Sequence, residues 1–213
     1  MEYTDLHTHR TPPDEKGTVA IHSLTDMETE TVPGYLYSAG IHPWYIDEEI
    51  WQADFEKLRN IAACENIVAI GECGLDKLCD TPYALQERIF AEQAALAEEL
   101  KKPLIIHAVK SHNDIIALHK SIKPSQQWII HGFRGKPQTA EMLLREGVYI
   151  SIGEKFNPEL HVALPYDKLF VETDESTLPL TEIYASVAKG WGITAEQLAE
   201  STEKLFTSTF NII

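Results

Sequence analysis

The sequence is short of cysteine, of long apolar runs and of positive charge, and the first two shortages exclude whole classes of protein. Its three cysteines form no CxxC pair, so neither a disulfide framework nor a zinc knuckle is expected, and a reducing compartment suits them better. No run approaches the roughly 18 apolar residues that a membrane span needs. The polar N-terminal residues lack the layout of a signal peptide. We therefore expect a cytoplasmic protein that does not associate with membranes.

The shortage of positive charge bears on nucleic-acid binding. The chain has 18 Lys and Arg against 33 Asp and Glu, for a formal net charge of −15. Broad, nonspecific binding to a nucleic-acid backbone needs a basic surface, so this mode of binding is not expected. Chemistry on nucleic acid at a metal site stays open, because divalent cations bring their own positive charge into a pocket.

What the sequence does contain is an alternation of short apolar runs with longer helical patterns. With 213 residues, 44% of them hydrophobic, the chain can bury a core without needing disulfide bonds, and we predict one domain over residues 1–213. Runs such as LIIHA and WIIHGF are continuously apolar, which is typical of strands buried on both faces of a parallel sheet. Eight strands are predicted, over residues 2–9, 18–23, 35–41, 67–72, 104–108, 128–132, 149–152 and 169–173.

Helical patterns lie between most of these strands. The first is predicted to begin with Asp47 as its cap, and Thr194 and Gln197 are spaced as a capping box before the last. Eight strands alternating with helices predict an α/β fold, a (β/α)8 barrel of the TIM type, with an open doubly wound sheet as the alternative. No GxGxxG follows the first strand, so nothing favours a dinucleotide site. The helices are predicted over residues 47–64, 83–101, 111–121, 137–146, 181–189 and 194–207.

Two histidines stand in the motif DLHTH, on the first predicted strand. Side chains alternate along a strand with a period of two, so His7 and His9 point to the same side. Two imidazoles on one face can chelate a metal ion. Ordinary hydrogen bonding of two polar residues at a strand end is the alternative interpretation of this motif by itself.

Four further metal-capable side chains close apolar, strand-like runs. Glu72 ends VAIGE, His107 ends PLIIH and His131 ends WIIH. Asp174 ends LFVETD. Because the C-terminal ends of barrel strands meet at one face, we expect these side chains to converge with the two histidines of the first strand. Four imidazoles and two carboxylates are enough to hold two divalent ions, with one carboxylate bridging.

Seven motifs then follow one another along nearly the whole chain. They are DLHTH at 5–9, GIHP at 40–43, AIGECGLD at 69–76, QERIFAEQAALAEELKKPLIIH at 86–107, IIHGF at 129–133, YISIG at 149–153 and ETD at 172–174. In this order they resemble the TatD family of metal-dependent hydrolases, within the amidohydrolase superfamily. The resemblance implies a distorted barrel with metal ligands on strands one, four, five, six and eight, and the predicted strands place the candidate residues on those strands.

The resemblance also implies a role for each candidate. One divalent ion would be held by His7, His9 and Asp174, and a second by His107 and His131. Glu72 would bridge the two ions, and Asp174 would also orient or deprotonate the attacking water. The implied activity is that of a deoxyribonuclease or phosphodiesterase acting on DNA or a small phosphodiester, with Mg²⁺ or Mn²⁺. Zn²⁺ also suits these ligand types, and no obligate protein partner is indicated.

The chain departs from the family pattern around the predicted substrate. His42 in GIHP resembles a family position near the substrate, but Trp44 stands where a second histidine is frequent. Trp44 could stack on a base or close the pocket. Val109 stands where an arginine is common, and Lys110 could supply that cation. Arg134 replaces a small residue and could bind a phosphate.

Two other functions remain open at this point. One is hydrolysis of a different substrate, such as an amide, lactone or phosphomonoester, by the same superfamily's chemistry. The other is a barrel that binds metal or ligand without turnover. The remaining histidines are expected to lie away from the site, and most of the tryptophans to pack in the core; these residues are His22, His112, His119, His161, Trp51, Trp128 and Trp191.

Overall fold

A computed structural model of the chain describes residues 2–24 and 26–212 and contains one eight-stranded parallel sheet. The strands are hydrogen-bonded in sequential order from β1 to β8. The last strand returns to the first, because Thr8 and Asp174 form a parallel bridge. The sheet therefore closes almost completely, and the predicted (β/α)8 barrel is confirmed. The strands are β1 (Tyr3–Thr8), β2 (Thr18–Leu24), β3 (Leu36–Ala39), β4 (Ile67–Asp76), β5 (Leu104–Val109), β6 (Trp128–Ile130), β7 (Tyr149–Ile152) and β8 (Leu169–Val171).

Six α-helices accompany the strands in the part of the chain that the structure describes. The capping box at Thr194 is present at the start of the last helix. The predicted start of the first helix at Asp47 is wrong, because the Asp47 side chain accepts a hydrogen bond from the amide of Glu49 and caps a turn before the helix. Within the described residues, no helix is long and apolar enough to span a membrane. The helices are α1 (Trp51–Ala62), α2 (Tyr83–Leu100), α3 (His112–Ile122), α4 (Pro137–Arg145), α5 (Leu180–Trp191) and α6 (Ala195–Phe210).

The apolar core has two layers because each strand has two buried faces. The larger layer lies between the sheet and the surrounding helices. The smaller layer fills the barrel, where side chains from six strands pack together, among them Leu6, Ile105 and Phe170. Phe206 and Phe210 of α6 pack against this inner layer. The inner packing holds the strands in register and so fixes where their C-terminal ends lie.

Candidate metal centre

The six candidate ligands converge at the C-terminal ends of the strands. His7 lies in β1, Glu72 in β4 and His107 in β5. His9 directly follows β1 and His131 directly follows β6, and Asp174 comes shortly after the end of β8. The seam between the first and last strands brings the distant ends of the sequence together. The amide of Asp174 donates to the His7 carbonyl over 2.9 Å, and the amide of His9 donates to the Asp174 carbonyl over 3.2 Å.

The carboxylate of Glu72 is the centre of the cluster. It is buried, with 9% of the residue exposed, and five imidazole nitrogens surround it. Its two oxygens face different histidines, which places one group of imidazoles on each side of the carboxylate. The distances to Oε1 are 2.7 Å from His131 Nε2, 2.9 Å from His107 Nδ1 and 3.2 Å from His42 Nε2, and those to Oε2 are 3.3 Å from His7 Nε2 and 3.5 Å from His9 Nε2.

The cluster has the donor atoms that a divalent cation needs. His7 and His9 direct their Nε2 atoms at each other over 3.3 Å while both face Glu72. Lone pairs of two imidazoles and a carboxylate that converge in this way fit a shared cation. Three groups of three ligand atoms lie within 4.8 Å of one another: His7, His9 and Glu72; His7, His131 and Asp174; and His42, Glu72 and His107.

This grouping differs from the sequence-based interpretation at two residues, because His131 groups with His7 and Asp174 rather than with His107, and His42 joins the candidate ligands. His42 was expected beside the substrate, but its Nε2 lies 3.2 Å from Glu72 Oε1, among the candidate ligands. Its ring also lies 4.4 Å from the His107 ring, measured between centroids. His42 therefore lines the floor of the site as well as facing the cleft above it.

The two carboxylates of the predicted ligand set differ in acidity. Burial raises the pKa of Glu72, but the charge of His131 and hydrogen bonds from the surrounding imidazoles outweigh it and hold this pKa well below its usual range. Burial, followed by the charge of Glu172, raises the pKa of Asp174. Glu72 is thus the stable anion of the pair, while Asp174 is the better proton acceptor.

Sequence reasoning missed Asp76, which ends β4. Its Oδ2 accepts hydrogen bonds from the indole nitrogen of Trp44 (2.7 Å) and from His107 Nε2 (3.2 Å). Glu72 and Asp76 lie four positions apart on one strand, so the period of two was the signal that could have found Asp76. Gly74 between them permits the close approach of β4 to β5, since a Cβ there would lie 2.0 Å from the His107 carbonyl oxygen.

A second missed residue is Glu172, two positions before Asp174. It is 0% exposed, and its Oε1 accepts a hydrogen bond from the Gly132 amide over 2.5 Å. Burial raises the pKa of Glu172, but contact with His131 and the charge of His7 lower it below its ordinary value. The motif ETD contained the signal, because alternate residues near a strand end point to the same side of the sheet.

A cleft of about 800 Å³ opens above the cluster. All four predicted substrate residues line it: His42, Trp44, Lys110 and Arg134. His112, which was expected to lie away from the site, lines the cleft too, with its ring 5.3 Å from that of Phe133. Trp44 is 55% exposed although its indole nitrogen is held by Asp76, so its ring is both fixed and accessible.

A parallel barrel with imidazoles and carboxylates gathered at the C-terminal strand ends has the arrangement of a metal-dependent enzyme. Residues 14–211 match the family model described as TatD related DNase. The chain belongs to this family, as its motifs predicted. The matched region contains Glu72, His107, His131 and Asp174, and it begins after His7 and His9.

Individual relatives agree with this assignment. An uncharacterized metal-dependent hydrolase of Buchnera aphidicola is 32% identical over 199 residues, covering 83% of this chain and 74% of the relative. The 3'-5' ssDNA/RNA exonuclease TatD of Pectobacterium parmentieri is 35% identical over 158 residues, covering 68% of this chain and 60% of the relative, so the chain spans less than two thirds of that enzyme. A TatD homologue from Escherichia coli K12 has the same fold, with a TM-score of 0.86 at 23% identity over 99% of this chain and 98% of its own.

Proposed function

We propose that the protein is a divalent-metal-dependent phosphodiesterase with a two-metal centre, and that it cleaves DNA at strand ends or small phosphodiesters. The observation that carries this proposal is the division of imidazoles between the two oxygens of Glu72. His7 and His9 face Oε2, whereas His107 and His131 face Oε1. A carboxylate approached from both sides in this way is suited to bridge two cations.

The proposed ligand sets follow this division. His7, His9 and Asp174 hold one ion. The distance of 3.6 Å between Asp174 Oδ1 and His9 Nε2 supports this set. His107 and His131 hold the other ion, and Glu72 bridges. His42 is an additional ligand candidate for the second ion, because it groups with Glu72 and His107. Mg²⁺, Mn²⁺ and Zn²⁺ are all compatible with imidazole and carboxylate ligands.

The protein's own groups supply orientation and proton transfer. Bound divalent ions would lower the pKa of water and neutralise charge on the phosphoryl oxygens. Asp174 is placed to accept the proton of the attacking water on its carboxylate, because it lines the cleft and its Oδ1 lies 3.6 Å from His9 Nε2. Lys110 and Arg134 line the cleft and would bind phosphate oxygens, and the exposed ring of Trp44 would stack on a nucleobase.

The test is metal add-back to the depleted protein. Mn²⁺, Mg²⁺ or Zn²⁺ is added with bis-p-nitrophenyl phosphate or a single-stranded oligonucleotide labelled at either end. We expect metal-dependent cleavage, and loss of that cleavage in Asp174→Asn. The matched control is Asp167→Asn, an exposed residue just before β8 at the opposite end of the strand. Absence of cleavage of both substrates with every metal would contradict the proposal, and so would full activity of Asp174→Asn.

A second candidate function is hydrolysis of another small substrate by the same centre. The acidic residues Asp26 and Glu175 also line the cleft, and a polyanion gains nothing from them. A panel of amides, lactones and phosphomonoesters in the add-back assay distinguishes the two functions. The cytoplasmic location and the single domain over residues 1–213 stay predictions.

A further inference from the structure

A buried carboxylate lies on the opposite side of the His131 ring from Glu72. Glu172 is 0% exposed, and its Oε1 lies 3.6 Å from Nδ1 of His131, the ring nitrogen opposite the one that faces Glu72. The same Oε1 holds the amide of Gly132, the residue that follows His131. Glu172 is therefore in contact with both the ring and the backbone at this ligand position.

The His7 ring lies beside that of His131. His7 and His131 both present Nε2 to Glu72, and their ring centroids are 4.4 Å apart. Among the residues that the structure describes, Nδ1 of each ring and Oε2 of Glu172 are buried and form no hydrogen bond. A buried carboxylate is costly unless it is paired, so an anion at this place needs the His131 N–H group as much as that group needs an acceptor.

The local sequence makes room for this carboxylate. Gly153 at the end of the YISIG motif passes so close that a Cβ would lie 3.2 Å from the Glu172 carbonyl oxygen and 3.5 Å from its Cγ. Gly132, with a φ of +59°, turns the chain so that its amide points at Oε1. The glycines that follow β6 and β7 thus both lie against the Glu172 side chain, which belongs to neither predicted ligand set.

We propose that Glu172 is a positioning residue for the metal centre: it accepts the Nδ1 proton of His131 and thereby leaves the Nε2 lone pair of this ring free for a cation. A ligand histidine commonly donates its other ring N–H to a carboxylate, which fixes the tautomer and orients the ring. The proposal rests on the proposed function only in taking His131 as a ligand, and it makes no assumption about the substrate.

The test compares Mn²⁺ binding by wild type, Glu172→Gln and Glu92→Gln, using titration calorimetry on the metal-free protein. Glu92→Gln removes the same charge from an exposed position in α2 and serves as the control. We expect Glu172→Gln to bind Mn²⁺ about 10- to 100-fold more weakly than the other two. Equal affinity in all three proteins would overturn the proposal.

A measurement on the wild type keeps the proposal testable even if Glu172→Gln does not fold. Nitrogen-15 imidazole spectra of the diamagnetic Zn²⁺-loaded protein report which ring nitrogen of His131 carries the proton. We expect Nδ1–H, and Nε2–H would overturn the inference. If the wild type binds Mn²⁺ and shows this tautomer but cleaves no phosphodiester, the proposed substrate class fails while this inference stands. A wild type that binds neither ion would overturn both.

Discussion

Replacement of Trp44 by phenylalanine or alanine separates two contributions of one side chain. Trp44→Phe keeps an aromatic ring at the cleft but removes the N–H that donates to Asp76 Oδ2 over 2.7 Å. A hydrogen bond to a charged group contributes about 1.5–3 kcal/mol, and the low end applies because Trp44 is 55% exposed. At about 2–4 °C per kcal/mol for a chain of this size, we expect the melting temperature to fall by about 3–6 °C.

Trp44→Ala removes the ring as well. Stacking of an aromatic side chain on a base contributes about 1–3 kcal/mol, so KM for a base-bearing DNA end should rise about 5- to 150-fold. Trp44→Phe should raise this KM much less, because a phenyl ring still stacks. Both variants lose the same hydrogen bond, so the difference between their KM values reports the ring.

The assay uses two single-stranded oligonucleotides that differ only in whether the terminal nucleotide carries a base. The wild type should prefer the end with the base, and Trp44→Ala should have lost most of this preference. Tyr166→Ala is the control, because this exposed aromatic residue lies just before β8, at the other end of the barrel. An unchanged preference in Trp44→Ala would refute the stacking role.

Three further predictions concern stability. Burial lowers the pKa of His22, but hydrogen bonds to Asp14 and to a backbone carbonyl raise it more. The stabilisation that the protonated His22 gains from Asp14 is therefore full below about pH 6.5 and is lost as the pH rises through the raised pKa of His22. Asp14→Asn should accordingly destabilise the protein more at pH 6 than at pH 9, as measured by denaturant titration. Tyr184→Phe removes a buried hydroxyl bonded to Thr202 and should cost about 1–3 kcal/mol without changing Mn²⁺ affinity. When the free metal concentration is 100 times Kd, removal of the metal should lower the free energy of unfolding by about 2.7 kcal/mol. A chelator should therefore lower the melting temperature by about 5–11 °C.

Most of the barrel was predictable because strands buried on both faces are continuously apolar. The residues that close those runs, such as His107 and His131, were predictable as a cluster because parallel strands end at one face. The start of α1 was not predictable, because the Asp47 side chain caps a turn that precedes the helix. An aspartate that caps a turn and one that caps a helix give the same sequence pattern. His112 was missed for a different reason: its place in the cleft depends on which neighbours lie across the barrel end, and no spacing along the chain records that. The alternation in ETD places Glu172 on the same side as Asp174, but it does not record the contact of Glu172 with His131.

The central claim is that the Glu72 cluster is a metal centre, and anomalous diffraction from crystals soaked in Zn²⁺ tests it most directly. Data at the zinc edge should show two peaks beside the Glu72 carboxylate. One peak should lie about 2.0–2.1 Å from the Nε2 atoms of His7 and His9, and the other at the same distance from His107 Nδ1 and His131 Nε2. A protein that hydrolyses its substrate with Zn²⁺ but shows no peak within this cluster would contradict the account.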